Sequence, residues 1–477
     1  MNAKFLSKYL ILKPKFFFAL DPEKCQHTVK NICILEISIK AVLFLFTLLL
    51  LSNYTYSQNR DTSIILKVDS LTLSKLIKQV VENHPSIKEA EEALYIADAK
   101  IGLAKAGYLP NVDATGNFTR IGPVPAISLP VFGTFKMAPA NNYNAALEYE
   151  QTIYDFGKTA KDVNLANENK NLNHLSIEQL KQSMSMTATN SYYSLLFIQD
   201  AIEIKDEDLR TLNGHLEYIQ KMNATGSATQ YEILATQVRI SNVESEKIDL
   251  ETSREVQLSI INSLLGQPEK TVFFVKKELD TKLPEIVPDS LVSYAFAHRD
   301  EMKVAHEKSA LAELQYNLKQ ASTNPTINFY ASGGWKNGYF PDLDQGKLNY
   351  VAGVSLNVPL FDANRKKNNL LIAKSDIQNC NYEVDITGRK ITTEVVQAEA
   401  NVNSAGKKMK QFSLQLEKAN KALSLAEIKF KAGVITNLDL LDATYAVSES
   451  KLLLLKSQID YISNIFNLKN AIGDRLY

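Results

Sequence analysis

Two very long proline-free stretches, Ala140–Gln267 and Leu360–Tyr477, limit what this 477-residue chain can fold into. Within them apolar residues recur every three or four positions. Leu195, Ile198, Ile202, Leu209, Leu212, Leu216 and Ile219 form one stripe, with Lys205 standing in its gap. Phe412, Leu416, Ala419, Leu423, Ala426 and Phe430 form a second. Leu438, Leu441, Tyr445, Ser448, Leu452, Leu455, Ile459, Ile462 and Phe466 form a third. Seams of this period, sustained over many turns, belong to coiled coils. A helix from Lys158 to Asn223 would be about 100 Å long at ~1.5 Å per residue. No compact domain holds such a helix, so it must pack laterally in a rod or a barrel.

The chain is also duplicated, which periodicity alone does not require. Tyr154-Asp155-Phe156-Gly157-Lys158 matches Phe361-Asp362-Ala363-Asn364-Arg365 at an offset of 207 residues, as Gly226 matches Gly433 and Gly266 matches Gly473. Upstream, His84 is paired with His298 and Pro110 with Pro325, at offsets of 214 and 215. The reading is one repeat at 71–270, a linker at 271–289 around Pro284 and Pro288, and a second repeat at 290–477. Each repeat runs from a helical segment (Leu71–Gly107, Ser290–Ala321) through two alternating segments to a long helical hairpin. Gly226 and Gly433 mark the hairpin turns, where glycine accepts the left-handed conformation that closes a helix. Thr229, and Thr436 or Asn437, can cap the returning helices.

The alternating segments are Asn111–Thr119, Tyr143–Tyr149, Thr326–Gly333 and Tyr350–Val358. One face of each is apolar and the other small or polar. Their length suits a tilted membrane-spanning strand as well as a half-buried hairpin of a soluble domain. Tyr108, Phe118, Tyr149, Trp335, Tyr339 and Phe340 stand near their ends, where interfacial girdles form. Four strands cannot close a barrel with a lumen, and open edges cannot persist in lipid. Strands of this kind in a membrane require several chains to share one barrel: twelve strands from three copies, or eight from two. The loop Arg120–Asn141, with four prolines, reads as a surface loop or a constriction of the outer mouth.

Ala41–Leu51 is an eleven-residue apolar run after Lys40 and before a small polar stretch. It reads as the core of a secretory signal within residues 1–57, cleaved or retained as an anchor, with an atypically long N-terminal extension. Residues 1–57 carry seven Lys against three acids, whereas the whole chain balances 53 basic against 53 acidic residues. No basic surplus points to nucleic acid. Of the three cysteines only Cys380 follows the apolar run, so no intrachain disulfide is expected beyond it. The histidines show no HExxH spacing. No phosphate loop, nucleophile elbow or dinucleotide fingerprint is present. No catalytic residue, cofactor or metal site is therefore assigned.

Three residue sets, taken in this order and with the duplication, resemble the TolC-like family of outer-membrane efflux proteins over about 71–473. Ala106-Gly107-Tyr108-Leu109-Pro110-Asn111 resembles its helix-to-strand junction. Leu356-Asn357-Val358-Pro359-Leu360-Phe361-Asp362 with Arg365 resembles its strand-to-helix return. Lys429–Gly433 followed by Leu438–Ala443 resembles its hairpin tip. The resemblance implies a mainly α fold: long coiled-coil hairpins forming an α-barrel, with four strands per chain in a shared 12-stranded β-barrel. It further implies a homotrimer in the outer membrane that extends into the periplasm. Its role would be the exit duct of a tripartite efflux pump or type I secretion system, with a periplasmic adaptor and an inner-membrane transporter as partners. The competing reading is a soluble periplasmic coiled-coil scaffold or pump adaptor.

The resemblance also marks candidate residues of the periplasmic entrance. Asp439 and Asp442, at i and i+3, share one side of the returning helix. They read as a cation-selective ring, a divalent-cation site, or merely solvated acids near a helix start. Glu232 is the pseudo-equivalent of Asp439. Where the best-known members hold the entrance shut with a tyrosine and an arginine, this chain has Phe430 and Ile435. The closed state then needs another lock or an apolar seal.

Overall fold

The computed structural model describes residues 71–130, 133–269, 271–277 and 291–477. The export segment 1–57 and most of the linker 271–289 lie outside the described residues.

The duplication is visible in element lengths. Helices α1 (Leu73–Asn83) and α2 (Pro85–Ala106) lead into strand β1 (Asn111–Arg120), a short hairpin β2 (Ala126–Leu129) and β3 (Gly133–Lys136), and β4 (Asn141–Tyr154). Helices α3 (Lys158–Ala224, 67 residues) and α4 (Gln230–Leu265, 36 residues) follow. The second copy runs α5 (Leu291–His298), α6 (Asp300–Ala321), β5 (Thr326–Lys336), β6 (Lys347–Asn357), α7 (Arg365–Lys431, 67 residues) and α8 (Asn437–Ile472, 36 residues). Both hairpins therefore repeat at 207 residues, and α2 and α6, 22 residues each, at 215.

Three local departures from the sequence reading have physical causes. The first helical segment is broken at His84: Pro85 starts α2, and His84 Nδ1 accepts the Ser86 N–H at 3.2 Å. The residue before a proline is pushed out of helical geometry. The structural counterpart of His84 is Arg299, which precedes α6, so the pairing of His84 with His298 is one residue out. The loop 120–141 is not plain: β2 and β3 pair within it, with Ile127 opposite Phe135.

The four long strands form one antiparallel sheet in the order β1-β4-β5-β6. Its registers place Val112 opposite Tyr149, Phe118 opposite Tyr143, Ala145 opposite Trp335, Gly333 opposite Tyr350 and Phe329 opposite Val354. Side chains alternate across a sheet, so these residues share a single apolar face. Val112, Phe118, Leu147, Trp335, Leu348, Tyr350, Val354 and Leu356 on it are all exposed. At Tyr330 the ring lies over Gly353, where any Cβ would collide with it.

The main core lies where α1 crosses the long helices. Leu76 and Val80 pack with Tyr192, Leu195 and Leu196 of α3, Ile261 of α4 and Ile462 of α8. An extended segment seals it: Leu71 bridges in parallel to Val275, and the Leu71 N–H donates to Phe274 O at 2.9 Å. A second core joins Ala295 of α5, Ile391 and Val395 of α7, and Ile465 and Ile472 of α8. Below the first core, four consecutive charges on α3 reach both neighbouring helices. Lys205, nearly buried, meets Glu246 at 2.6 Å and Asp206 meets Lys247 at 2.7 Å, both on α4. Glu207 meets Lys451 at 2.8 Å on α8, and Asp208 accepts the Ser448 hydroxyl there. Burial pushes the Asp208 carboxyl up, against the pull of Ser448 and Lys205. Polar layers inside coiled coils fix register more than they add stability.

Between α3 and α6, Glu307 faces Glu168. One Glu307 oxygen is buried without a hydrogen-bond partner. Burial, and then the Glu168 carboxylate, push the Glu307 carboxyl up to about 7. An unfolded glutamate titrates near ~4.3, so between these values the folded chain holds a proton the unfolded chain has lost. Stability from this pair is present below that window and falls as pH rises through it. Glu307→Gln is expected to raise the thermal midpoint at pH 8 and to leave it nearly unchanged at pH 4.5. Circular dichroism melts at the two values check this, and an equal shift at both would refute it.

Candidate functional site at the hairpin tips

Each long helix ends in a left-handed glycine. Gly226 has φ +76 and Gly433 φ +72, and a Cβ on either would meet nothing within 4 Å. Glycine is needed there for its backbone conformation and not for space. The Val434 N–H returns to Lys429 O at 2.9 Å and the Ser227 N–H to Met222 O at 2.8 Å, closing both helices.

The returning helices start on reciprocal capping boxes. The Thr229 N–H donates to Glu232 Oε2 at 2.6 Å, and the Glu232 N–H to Thr229 Oγ1 at 3.3 Å. The Thr436 N–H donates to Asp439 Oδ2 at 2.9 Å, and the Asp439 N–H to Thr436 Oγ1 at 3.2 Å. Two otherwise orphaned donors are satisfied at each start. The Thr436 hydroxyl, together with its backbone N–H, holds the Asp439 carboxyl below its ordinary value. Asp439 is thus an exposed acid and Glu232 a half-buried one, each with a local partner. Asp442, one turn on, leans towards the other hairpin and lies 3.6 Å from Arg239 of α4.

The structure assigns the cap to Thr436 and leaves Asn437 for a different task. Asn437, 3% exposed, donates through Nδ2 to Glu232 O and Thr236 Oγ1 of α4, both at 3.3 Å. Its Oδ1 lies 2.6 Å from His215 Nε2 on α3. One amide therefore joins the start of the second hairpin's returning helix to both helices of the first. Arg239 reinforces this seam from outside, with its guanidinium 4.3 Å above the Tyr445 ring. Leu441 fills the gap among Leu212, Ile240 and Val243.

Phe430 packs edge-on against His215 and Tyr218, at 5.6 and 6.4 Å between ring centres. It borders an open cleft with Thr211, Glu427 and Lys431. Ile435 is half-buried at the turn. The two hairpins of one chain are held by the Asn437 amide and by apolar and aromatic packing.

His215, Thr236 and Arg239 were not singled out by sequence reasoning, and Asn437 was marked only as a possible helix cap. Nothing in their spacing marks them, because their partners come from a helix about two hundred residues away. A second group was also missed, although its signal was present. Asp113, Glu148 and Glu150 fall on the polar face of β1 and β4, and Asp113 stands directly opposite Glu148. Like charges so placed weaken a sheet. Local donors relieve them in part: Asn111 Nδ2 at 2.7 Å from Asp113, and Thr115 Oγ1 at 3.0 Å from Glu148. Among the described residues no group of three or more His, Cys, Asp or Glu side chains is arranged to hold a metal ion.

Asn437 is buried, whereas the Arg239–Asp442 contact is long at 3.6 Å and its carboxylate is exposed, so loss of Asn437 should weaken the seam more. Asn437→Ala is expected to speed amide hydrogen exchange at the start of α8 by roughly tenfold to a hundredfold. Arg239→Gln is expected to change it by less than about fivefold. The opposite ranking would contradict this account.

The family model for outer membrane efflux proteins matches residues 76–267 and 291–474. The alkaline protease secretion protein AprF of Pseudomonas aeruginosa is 22% identical over 343 residues, covering 70% of this chain and 70% of AprF. The outer membrane efflux protein BepC of Brucella suis is 20% identical, over 85% and 86% of the two chains. The crystal structure of the outer membrane protein VceC from Vibrio cholerae superposes with a TM-score of 0.71 at 20% identity, covering 85% of this chain and 97% of VceC.

Proposed function

The chain belongs to the outer membrane efflux protein family, and from that premise we propose that three copies assemble into one continuous duct. It is an outer-membrane channel protein that extends into the periplasm, and it is not an enzyme. On the proposed reading, the sheets close into a barrel of twelve strands and the long helices into a periplasmic tunnel. A periplasmic adaptor and an inner-membrane transporter supply cargo and energy. Relatives named for protease secretion and for efflux support an exit role of this type.

The observation that carries the proposal is the pair of edges on β1 and β6, which no other described strand covers. Beneath an apolar face of membrane length, their unpaired amides have no partner in lipid. The chain itself carries the template for closure. β4 is the counterpart of β6 at 207 residues and β5 that of β1 at 215, so the β4–β5 pairing can be transposed to β6 and the next copy's β1. Leu147 opposite Gly333 becomes Val354 opposite Phe118. Closure by two copies would leave eight strands, whose interior is filled by side chains; twelve leave a lumen. Apolar residues then face lipid, and Asp113, Glu148 and Glu150 face water. Asp439, Asp442 and Glu232 surround the periplasmic entrance, with Phe430 and Ile435 in its apolar seal.

Detergent extraction followed by mass measurement is expected to give three copies, and a water-soluble monomer would refute the proposal. In a Cys380→Ser background, Val354→Cys with Phe118→Cys should form a disulfide between copies under mild oxidation. Moving one cysteine to Val351 should abolish it, and equal cross-linking of both pairs would refute the register. In planar bilayers, Asp439→Ala with Asp442→Ala should lower cation preference more than it raises conductance. Unchanged ion selectivity would remove these acids from the entrance.

A further inference from the structure

We propose that the return from β6 to α7, residues Val358–Lys367, binds anionic phospholipid headgroups in the periplasmic leaflet of the outer membrane. The proposal rests on the barrel reading above. It is carried by a juxtaposition on one short segment: uncovered apolar side chains followed within a few residues by three cations that form no ion pair among the described residues.

Leu360 is 93% exposed and Phe361 88% exposed, at the helical end of the last membrane-length strand. A missing neighbour accounts for only part of this. Their counterparts at an offset of 207, Ile153 and Tyr154, have β5 beside them and are still 57% and 55% exposed. A segment in this position keeps apolar surface turned outward even when its edge is paired.

Arg365, Lys366 and Lys367 follow, all exposed, and none forms an ion pair with the described residues. The acid nearest in sequence, Asp362, is turned to the backbone and accepts the Lys366 N–H at 2.7 Å. Helix stability does not explain three cations here, since a helix start favours anions. The first copy has Lys158, Thr159 and Ala160 at the same three positions, so the cluster belongs to the second copy alone.

Apolar side chains entering the acyl boundary, with basic groups held at phosphate level, give the combination that binds an anionic lipid surface. Lipid phosphates of the outer leaflet lie at the other end of the sheet, where Lys336 and Lys347 stand opposite each other. That separation makes the two sources distinguishable.

The test uses the full chain in neutral detergent, equilibrated at low salt with equal amounts of dioleoyl phosphatidylglycerol and dioleoyl phosphatidylethanolamine. Lipid retained through purification is quantified by mass spectrometry. Wild type should retain phosphatidylglycerol over phosphatidylethanolamine by about fivefold. R365Q/K366Q/K367Q should bring the ratio near one while the oligomer mass is kept. R365K and K336Q/K347Q should leave the enrichment in place. A wild-type ratio near one, enrichment that survives the triple substitution, or enrichment lost only in K336Q/K347Q would overturn the proposal. If the triple variant does not assemble, the wild type in about 0.5 M salt replaces it. Screening should then collapse the enrichment, and an unchanged ratio overturns the proposal. A chain that stays soluble without detergent would instead overturn the barrel reading. A detergent-requiring trimer without phosphatidylglycerol preference overturns this inference alone.

Discussion

Backbone amides at the two edges of a four-stranded sheet set the terms for the rest of this molecule. The sheet has one apolar face, built by registered pairs such as Phe118 with Tyr143 and Phe329 with Val354. That face seeks a lipid environment, and there the free N–H and C=O groups of β1 and β6 have no solvent to bond. A single chain cannot remove this conflict by burying its own edges. On the proposed assembly another copy offers the complementary edge, and the β4–β5 pairing within one chain is the template for that contact.

The helical part faces a different problem. Helices of 67 residues with an apolar stripe can slide against one another by a turn at modest cost. Polar layers oppose this. The run Lys205–Asp208 reaches Glu246 and Lys247 on one side and Ser448 and Lys451 on the other, so a shift of one turn would separate all four contacts. Further down, the Asn437 amide joins the two hairpins at their tips. Neither feature is a large source of stability. Both specify register.

Charge follows the same division of labour. Asp439 and Glu232 stabilise the starts of the returning helices through their capping boxes, and Asp439 remains exposed while doing so, Glu232 in part. A carboxylate that caps a helix keeps its charge, so a structural role and an electrostatic role at the proposed entrance do not compete. Asp442 differs: its one ion-pair partner among the described residues is the half-buried Arg239, 3.6 Å away, and the carboxylate itself stays open to solvent screening.

Much of this architecture is written along the chain. The stripe from Leu195 to Ile219 and the glycines at 226 and 433 define long hairpins, because period and backbone freedom are local properties. Alternation from Tyr350 to Val358 gives a strand with one apolar face for the same reason. The hairpin within 120–141 was not legible, since its short strands lack a strong alternating signal among four prolines. Asp113, Glu148 and Glu150 stood in plain view, yet their grouping required the register between β1 and β4. His215 and Thr236 gave no signal at all, and Asn437 only that of a possible helix cap. The long helices, their turns and the two-faced strands could be read from the chain, because each is a product of spacing within a few residues. Which polar side chains meet across the seam emerged from the packing of distant helices, because those contacts depend on how the helices are set against one another, and side-chain spacing does not encode that setting.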